Sequence, residues 1–311
     1  VRLKRLAVLL VLIASAGHAS AEGVALTFDD VPGLAISDAP AYARVTSLRL
    51  LHGLRRHHLP ATGFVIAARL EGADGPANIA VVKLWRRAGM ALGNHSYSHL
   101  SLLDTPVENY IADVDRADQV MRADLALRRP PHWYRPPYLE TGATLPIRRR
   151  FEDWLSAHGY RVAPVTMENA DWMFALPYDD ALAHDDRAGA ARIRTSYLDY
   201  TAKVVPWYRE AGRQLLGRRP DFVLLLHASR LNADCIGGLA AILARNGLRG
   251  VTLAQAMADP AYRIRDDYAG PDGDEWISRW SRALGKDLDW DAFPEPPADI
   301  AAENSRLDTA P

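Results

Sequence analysis

The chain has 311 residues, is 49% hydrophobic and carries 37 basic against 38 acidic side chains, a net charge of -1. That length suits one large α/β domain or two ordinary ones, and the balanced charge sets up no bulk field for nucleic acid or an anionic membrane. The single cysteine, Cys235, excludes an internal disulfide and a cysteine-based zinc knuckle, so any metal must be held by histidine and carboxylate.

Residues 1–21 read as an export signal: Arg2, Lys4 and Arg5 lead, residues 6–16 are apolar, and Ala19-Ser20-Ala21 resembles a cleavage site. An uncleaved anchor or a buried first helix is the alternative. No run is long enough for a stable membrane span, so the expected mature chain is an exported monomer of the bacterial periplasm. Residues 22–258 read as one catalytic domain and 259–311 as an extension packed on it.

From residue 24 onward, short apolar runs alternate with helical patterns, which predicts βα units and a parallel sheet. The expected strands cover 24–28, 62–66, 90–93, 133–135, 160–165, 222–226 and 248–252. The expected helices cover 42–57, 79–88, 106–127, 147–158, 191–216 and 238–246. Thr105, Pro106 and Glu108 suggest a capping box for the third helix, and Pro206 should kink or split the fifth. The long 166–220 connection reads as a lid or wall. In the extension, Trp276, Ile277, Trp280 and Leu284 share a helical face, and the chain past Phe293 reads as a loosely held tail.

Polar residues cluster where these strands end. Asp29-Asp30 follow the first, His95 and His99 the third, Arg135 to Tyr138 the fourth, Asp171-Trp172 the fifth and His227 the sixth. Convergence from so many strand ends favours a closed barrel over an open doubly wound sheet. Asp30, His95 and His99 make a ligand set for a borderline transition metal, leaving Asp29 free as a base. The four-residue spacing of the histidines suggests one face of a helical turn. Asp-Asp-Val-Pro-Gly is also plain turn chemistry. Arg135, stiffened by two prolines, can hold a carboxylate or make an ordinary salt bridge. His227 is available as a general acid oriented by Asp171, with Trp172 walling a small pocket. Trp85, Trp133 and Trp207 read as core residues before sugar platforms.

Taken in order, Thr27-Phe28-Asp29-Asp30, His95-Ser96-Tyr97-Ser98-His99, Arg135-Pro136-Pro137-Tyr138, Asp171-Trp172 and Leu225-Leu226-His227 resemble the motifs of the carbohydrate esterase family 4 polysaccharide deacetylases, the NodB-homology family. The resemblance spans residues 23–253 and implies an irregular (β/α)7 barrel, a deformed TIM-like fold. It implies a metal-dependent N-deacetylase of an N-acetylated glycan, with zinc the usual ion and cobalt, nickel or manganese as substitutes. By the same resemblance Asp29 is the base, Asp30, His95 and His99 hold the metal, and Arg135 positions Asp29. The Tyr138 backbone N–H assists the oxyanion, His227 with Asp171 is the acid, and Trp172 and Leu225 line the acetyl pocket. Val31 and Leu139 stand where the family often has glycine, and Glu168 where it has aspartate. These departures leave the substrate open. An ester deacetylase, a non-sugar amidase and an inactive glycan-binding relative are the alternatives.

Overall fold

The computed structural model describes residues 22–35, 39–127 and 132–308, so the export-signal reading falls outside the described residues. Its centre is β1 (Glu22–Leu34), where Val24, Ala25, Leu26 and Phe28 follow one another and are all buried. A strand apolar on both faces needs cover on both, the condition of a parallel α/β sheet. After it come α1 (Pro40–Arg56), β2 (Ala61–Val65), α2 (Gly75–Arg87), β3 (Ala91–Asn94), α3 (Val107–Asp124), β4 (Trp133–Tyr134), α4 (Leu145–Ala157), β5 (Arg161–Val162) and β6 (Met167–Glu168). The chain continues through α5 (Asp171–Ala183), α6 (Arg187–Leu216), β7 (Phe222–Ser229), α7 (Arg230–Arg245), β8 (Leu248–Gly250) and α8 (Leu253–Ala256), and ends with α9 (Trp276–Leu284) and α10 (Ala298–Leu307).

The strands lie in the order β5-β4-β3-β2-β1-β7-β6, with β8 pairing the first residues of β1. All pairings are parallel. The expected strand at 160–165 is therefore cut to β5 alone, and a further short strand, β6, lies on the opposite edge of the sheet. Only residues 163–166 separate them, and each residue spans at most about 3.6 Å. The sheet must curl until its edges nearly meet. Ala163 N–H donates to Tyr134 O on one edge (2.7 Å) and Thr166 N–H to Val223 O on the other (3.0 Å), so the crossing segment bonds to both. The result is α/β, a deformed (β/α) barrel with a seam in place of one strand pairing.

Several local expectations differ from the structure. The capping box does not form: α3 starts at Val107, so the cap position falls on Pro106, which has no side-chain acceptor, and Glu108 instead makes a two-bond pair with Arg150. Pro206 does not split α6, whose buried stripe of Tyr197, Tyr200, Val204, Val205 and Tyr208 holds it to the core as one 30-residue helix. The 166–220 connection is mostly α5 and α6 rather than a loop. Past Phe293 the chain is held: α10 packs on α5 with Ile300 fully buried, and Arg192 pairs with Asp299 and Glu303. In α9, Ile277 and Trp280 are buried as expected, while Leu284 faces outward. Trp85 is core, edge-on to Phe28 at 5.7 Å, and Trp133 is buried too. No helix among the described residues is long and apolar enough to cross a membrane.

Candidate metal centre and active-site cleft

The first carboxylates sit where β1 loses register. Its pairing with β2 slips between Phe28 and Val31, and with β7 between Asp29 and Leu34. Asp30 takes φ 61° at this irregularity. A bulge of that kind lets two consecutive side chains serve one site, so both aspartates line the same cleft.

The histidine segment follows β3 but is not helical. Ser96 (φ 66°) and His99 (φ 56°) are left-handed, and the loop is tied down locally. Asp113 accepts hydrogen bonds from the N–H groups of Tyr97 (2.9 Å) and Ser98 (3.1 Å), and Ser96 Oγ accepts from His99 N–H (2.9 Å). The four-residue spacing therefore works through a strained bend, not a helical face. Left-handed non-glycine residues at Asp30, Ser96, His99, Tyr138, Leu139 and Ala170 crowd the strand ends, and such strain gathers at functional sites.

His95 Nε2 and His99 Nε2 lie 3.5 and 3.7 Å from Asp30 Oδ1, and one donor atom from each of the three residues falls within 4.8 Å of the others. Arg135 O lies 2.8 Å from His95 Nδ1. A carbonyl only accepts, so the proton sits on Nδ1 and Nε2 presents its lone pair inward. Burial and the neighbouring His95 lower the His99 pKa to about 4, against the pull of Asp30 and Asp29, which leaves its ring neutral. Burial alone would raise the Asp30 pKa, but His227, His95, His99 and Arg69 together bring it below the ordinary value. Asp30 Oδ1 is buried with no hydrogen-bond partner among the described residues. Two imidazoles with Nε2 turned toward a carboxylate whose Oδ1 lacks a hydrogen-bond partner fit a divalent transition ion such as zinc.

Asp29, also buried, lies beside this cluster, with Oδ2 3.7 Å from His95 Nε2 and 3.4 Å from Arg135 Nη1. Arg135 is fully buried and further fixed by Ala163 O (3.0 Å) and Thr27 Oγ1 (3.0 Å). Asp29 Oδ1 is left without a partner among the described residues. His227 lies within β7, beside Asp29 in register on the neighbouring strand, and lines the same cleft. Asp171, at the start of α5, sits 2.9 Å from His227 Nδ1 and accepts from the His227 N–H (2.7 Å) and from Asn232 Nδ2. Burial opposes charge on His227, but Asp171, then Asp30 and Asp29, raise its pKa to about 9.

Tyr138, Trp172 and Leu225 complete the near rim. Leu225 is buried, while Trp172 is 42% and Tyr138 59% exposed, both over the cleft. Tyr138 takes φ 56° and its ring meets His99 edge-on at 4.7 Å. All ten sequence-chosen residues are thus gathered here, Arg135 and Asp171 standing behind the cleft-lining groups.

Three features escaped the sequence reading. Asn232 braces Asp171 and His227 O; an asparagine entering an otherwise apolar helix was the available signal. Glu275 lines the cleft together with Glu168, which the sequence marked only as a departure from the family motif, and burial pushes the pKa of each upward, Asp171 adding to the effect on Glu168 and Glu168 to that on Glu275. The extension itself forms one wall, contributing Gly273, Asp274, Glu275, Arg282, Trp290 and Phe293 to a cleft of about 850 Å³. Gly273 must be glycine, since a Cβ there would lie 1.7 Å from Tyr138 O. Buried Arg279 locks that contact, donating to Leu139 O (3.1 Å), Thr141 Oγ1 (3.0 Å) and Asp274 O (2.9 Å). Leu139, left-handed where the family often has glycine, is therefore held from outside its own loop.

The family model described as polysaccharide deacetylase matches residues 16–163, the half that carries Asp29, Asp30, His95, His99, Arg135 and Tyr138. That match supports the resemblance to the polysaccharide deacetylases of carbohydrate esterase family 4 that the motifs suggested. A peptidoglycan-N-acetylglucosamine deacetylase of Bacillus cereus is 27% identical over 149 residues, covering 48% of this chain and 46% of the relative. The match thus spans about half the length of that relative. Among solved structures, the chitin deacetylase of Colletotrichum lindemuthianum shares the fold at a TM-score of 0.53, with 19% identity over 76% of this chain and 88% of its own. A mutant of a family 4 pseudoenzyme with restored activity does so at 0.52, with 18% identity over 77% of this chain and 69% of its own.

Proposed function

We propose that this protein is a metal-dependent N-deacetylase that hydrolyses the acetamide of an N-acetylated amino sugar in a glycan, releasing acetate and a free amine. The observation that carries the reading is that a carboxylate and an imidazole border one candidate cation site. Asp29 lies against His95, and His227, its pKa raised to about 9, lines the same cleft. An amide has a weak electrophile and a poor leaving group, so its hydrolysis needs both a base and an acid.

Asp30, His95 and His99 would hold a divalent ion, most fittingly zinc, whose chemistry when bound would be Lewis-acid polarisation of the carbonyl and acidification of water. Asp29, anchored by Arg135, accepts the proton of the attacking water at its unpartnered Oδ1. The Tyr138 backbone N–H helps hold the oxyanion that develops on the carbonyl oxygen. His227 Nε2 then donates a proton to the departing amine, and Asp171 holds the ring by Nδ1 so that Nε2 faces the cleft. Leu225 and Trp172 bound the space for the acetyl methyl, where a larger acyl group would collide.

The first 21 residues support export to the periplasm, and the neutral overall charge supports a partner that is a glycan rather than nucleic acid. N-terminal sequencing of the exported fraction tests the first point. For the activity, the zinc-loaded chain is incubated with N-acetylglucosamine oligomers and with O-acetylated xylan, and released acetate and free amine are measured. The account expects acetate and amine in equal amounts from the former. Acetate from the xylan alone would move the assignment to an ester deacetylase.

A further inference from the structure

We infer that the C-terminal extension builds a second sugar site beside the reacting one, with the Trp290 ring as its platform. The inference rests on the deacetylase reading above and adds the requirement that the substrate be an oligosaccharide.

Trp290 is 42% exposed, an unusual state for so large an apolar side chain, and it lines the cleft that also holds Asp30, His99 and His227. It is not a loose surface ring. Trp207 of α6 lies 5.0 Å away at a 40° tilt, and Phe293 packs at 6.3 Å. Phe293 in turn meets Trp207 edge-on at 4.8 Å. The loop carrying Trp290 is pinned on both sides: Phe293 N–H donates to Trp290 O (3.0 Å), Trp290 N–H to Leu288 O (3.0 Å), and Leu288 is buried. A ring braced from behind and open in front costs little entropy to use. Its flat face matches the row of C–H groups on one face of a pyranose, and aromatic rings with a few placed polar groups are the usual lining of such sites.

The wall is coupled to the catalytic loop rather than merely near it. Arg279 and Gly273 seat the extension on Tyr138 and Leu139, and Tyr208 O–H donates to Glu275 (2.6 Å) from the α6 side. Glu275 and Asp274 add polar carboxyl groups to the lining of the same cleft. The volume, about 850 Å³, lies toward the top of the roughly 300–1,000 Å³ typical of small-molecule sites and leaves room beyond a single acetamido sugar.

The test uses the full chain, loaded with zinc, on N-acetylglucosamine and its β-1,4 oligomers of two to five units. Acetate release is followed for the wild type, Trp290→Ala and Trp290→Leu, the last keeping apolar bulk against Trp207 without a flat face. The wild type should gain at least tenfold in kcat/KM from monomer to trimer. Both variants should lose most of that gain through KM, with the monomer rate unchanged and thermal stability close to wild type. Equal chain-length dependence in wild type and variants would overturn the second site and leave the deacetylase reading standing. If the wild type releases acetate from none of them, calorimetric binding of the trimer to Asp29→Asn decides the site alone. There, tenfold weaker binding on adding Trp290→Leu supports it, and unchanged binding or none overturns it.

Discussion

Replacing Asp171 by asparagine should move the alkaline limit of activity more than any other property. Asp171 accepts from both the backbone and the ring of His227, at 2.7 and 2.9 Å, and is the first of the groups that raise the imidazole pKa to about 9. Burial pulls the other way, so without the carboxylate the ring should fall to its ordinary value of about 6.5 or below. At pH 8 a group of pKa 9 is roughly 90% protonated and one of 6.5 roughly 3%, a loss of about 30-fold in the competent acid. A filled metal site offsets the contribution of Asp30 but not that of Asp171, so the displacement between the two proteins survives at equal zinc loading. The assay is kcat against pH from 5.5 to 9.5 on one oligomer, with zinc content checked in both. The descending limb should shift down by one unit or more. A limb unmoved in Asp171→Asn would refute the assignment of His227 as the acid.

Three further outcomes follow from the same geometry. Asp29→Asn should keep its zinc yet lose roughly 100-fold or more in kcat, read by steady-state kinetics beside metal analysis. Arg279→Met removes a buried cation that serves Leu139 O, Thr141 Oγ1 and Asp266, and should cost about 3 kcal/mol or more in urea unfolding. Glu275 is an acid whose folded pKa is raised, so the folded state holds its proton above the ordinary carboxyl range and loses stability as pH rises. Raising the pH from 5 to 8 should therefore cost Glu275→Gln less in thermal midpoint than it costs the wild type. Equal slopes would show that this carboxyl is not raised.

Much of the site was legible because its chemistry sits at the ends of apolar runs. Asp29, Asp30, His95, His99 and His227 could be picked out as polar residues closing stretches such as Phe222–Leu226, and a parallel barrel brings those ends together. What was not legible is what depends on contacts between distant segments. The bend that aims His95 and His99 is set by Asp113 in α3, so the spacing alone suggested a helical turn. The strand expected at 160–165 stops at Val162 because the backbone that follows bonds to two different edges in turn, which no local propensity records. Thr105 and Glu108 suggested a capping box, but the cap position falls on Pro106 and Glu108 pairs with Arg150 of a different helix. The wall of the cleft was hidden most completely: the extension was expected to pack on the domain, but nothing local in its sequence ties Gly273, Arg279 and Trp290 to the cleft.

Zinc content of the purified chain and of His99→Ala, measured by elemental analysis after dialysis, reaches the central claim most directly, since base, acid and substrate all meet at that site. The account predicts about one ion per wild-type chain, loss of it in the variant, and acetate release that disappears with a chelator and returns with zinc. Full activity on the N-acetylated oligomers with no ion bound, or equal zinc in both proteins, would contradict it.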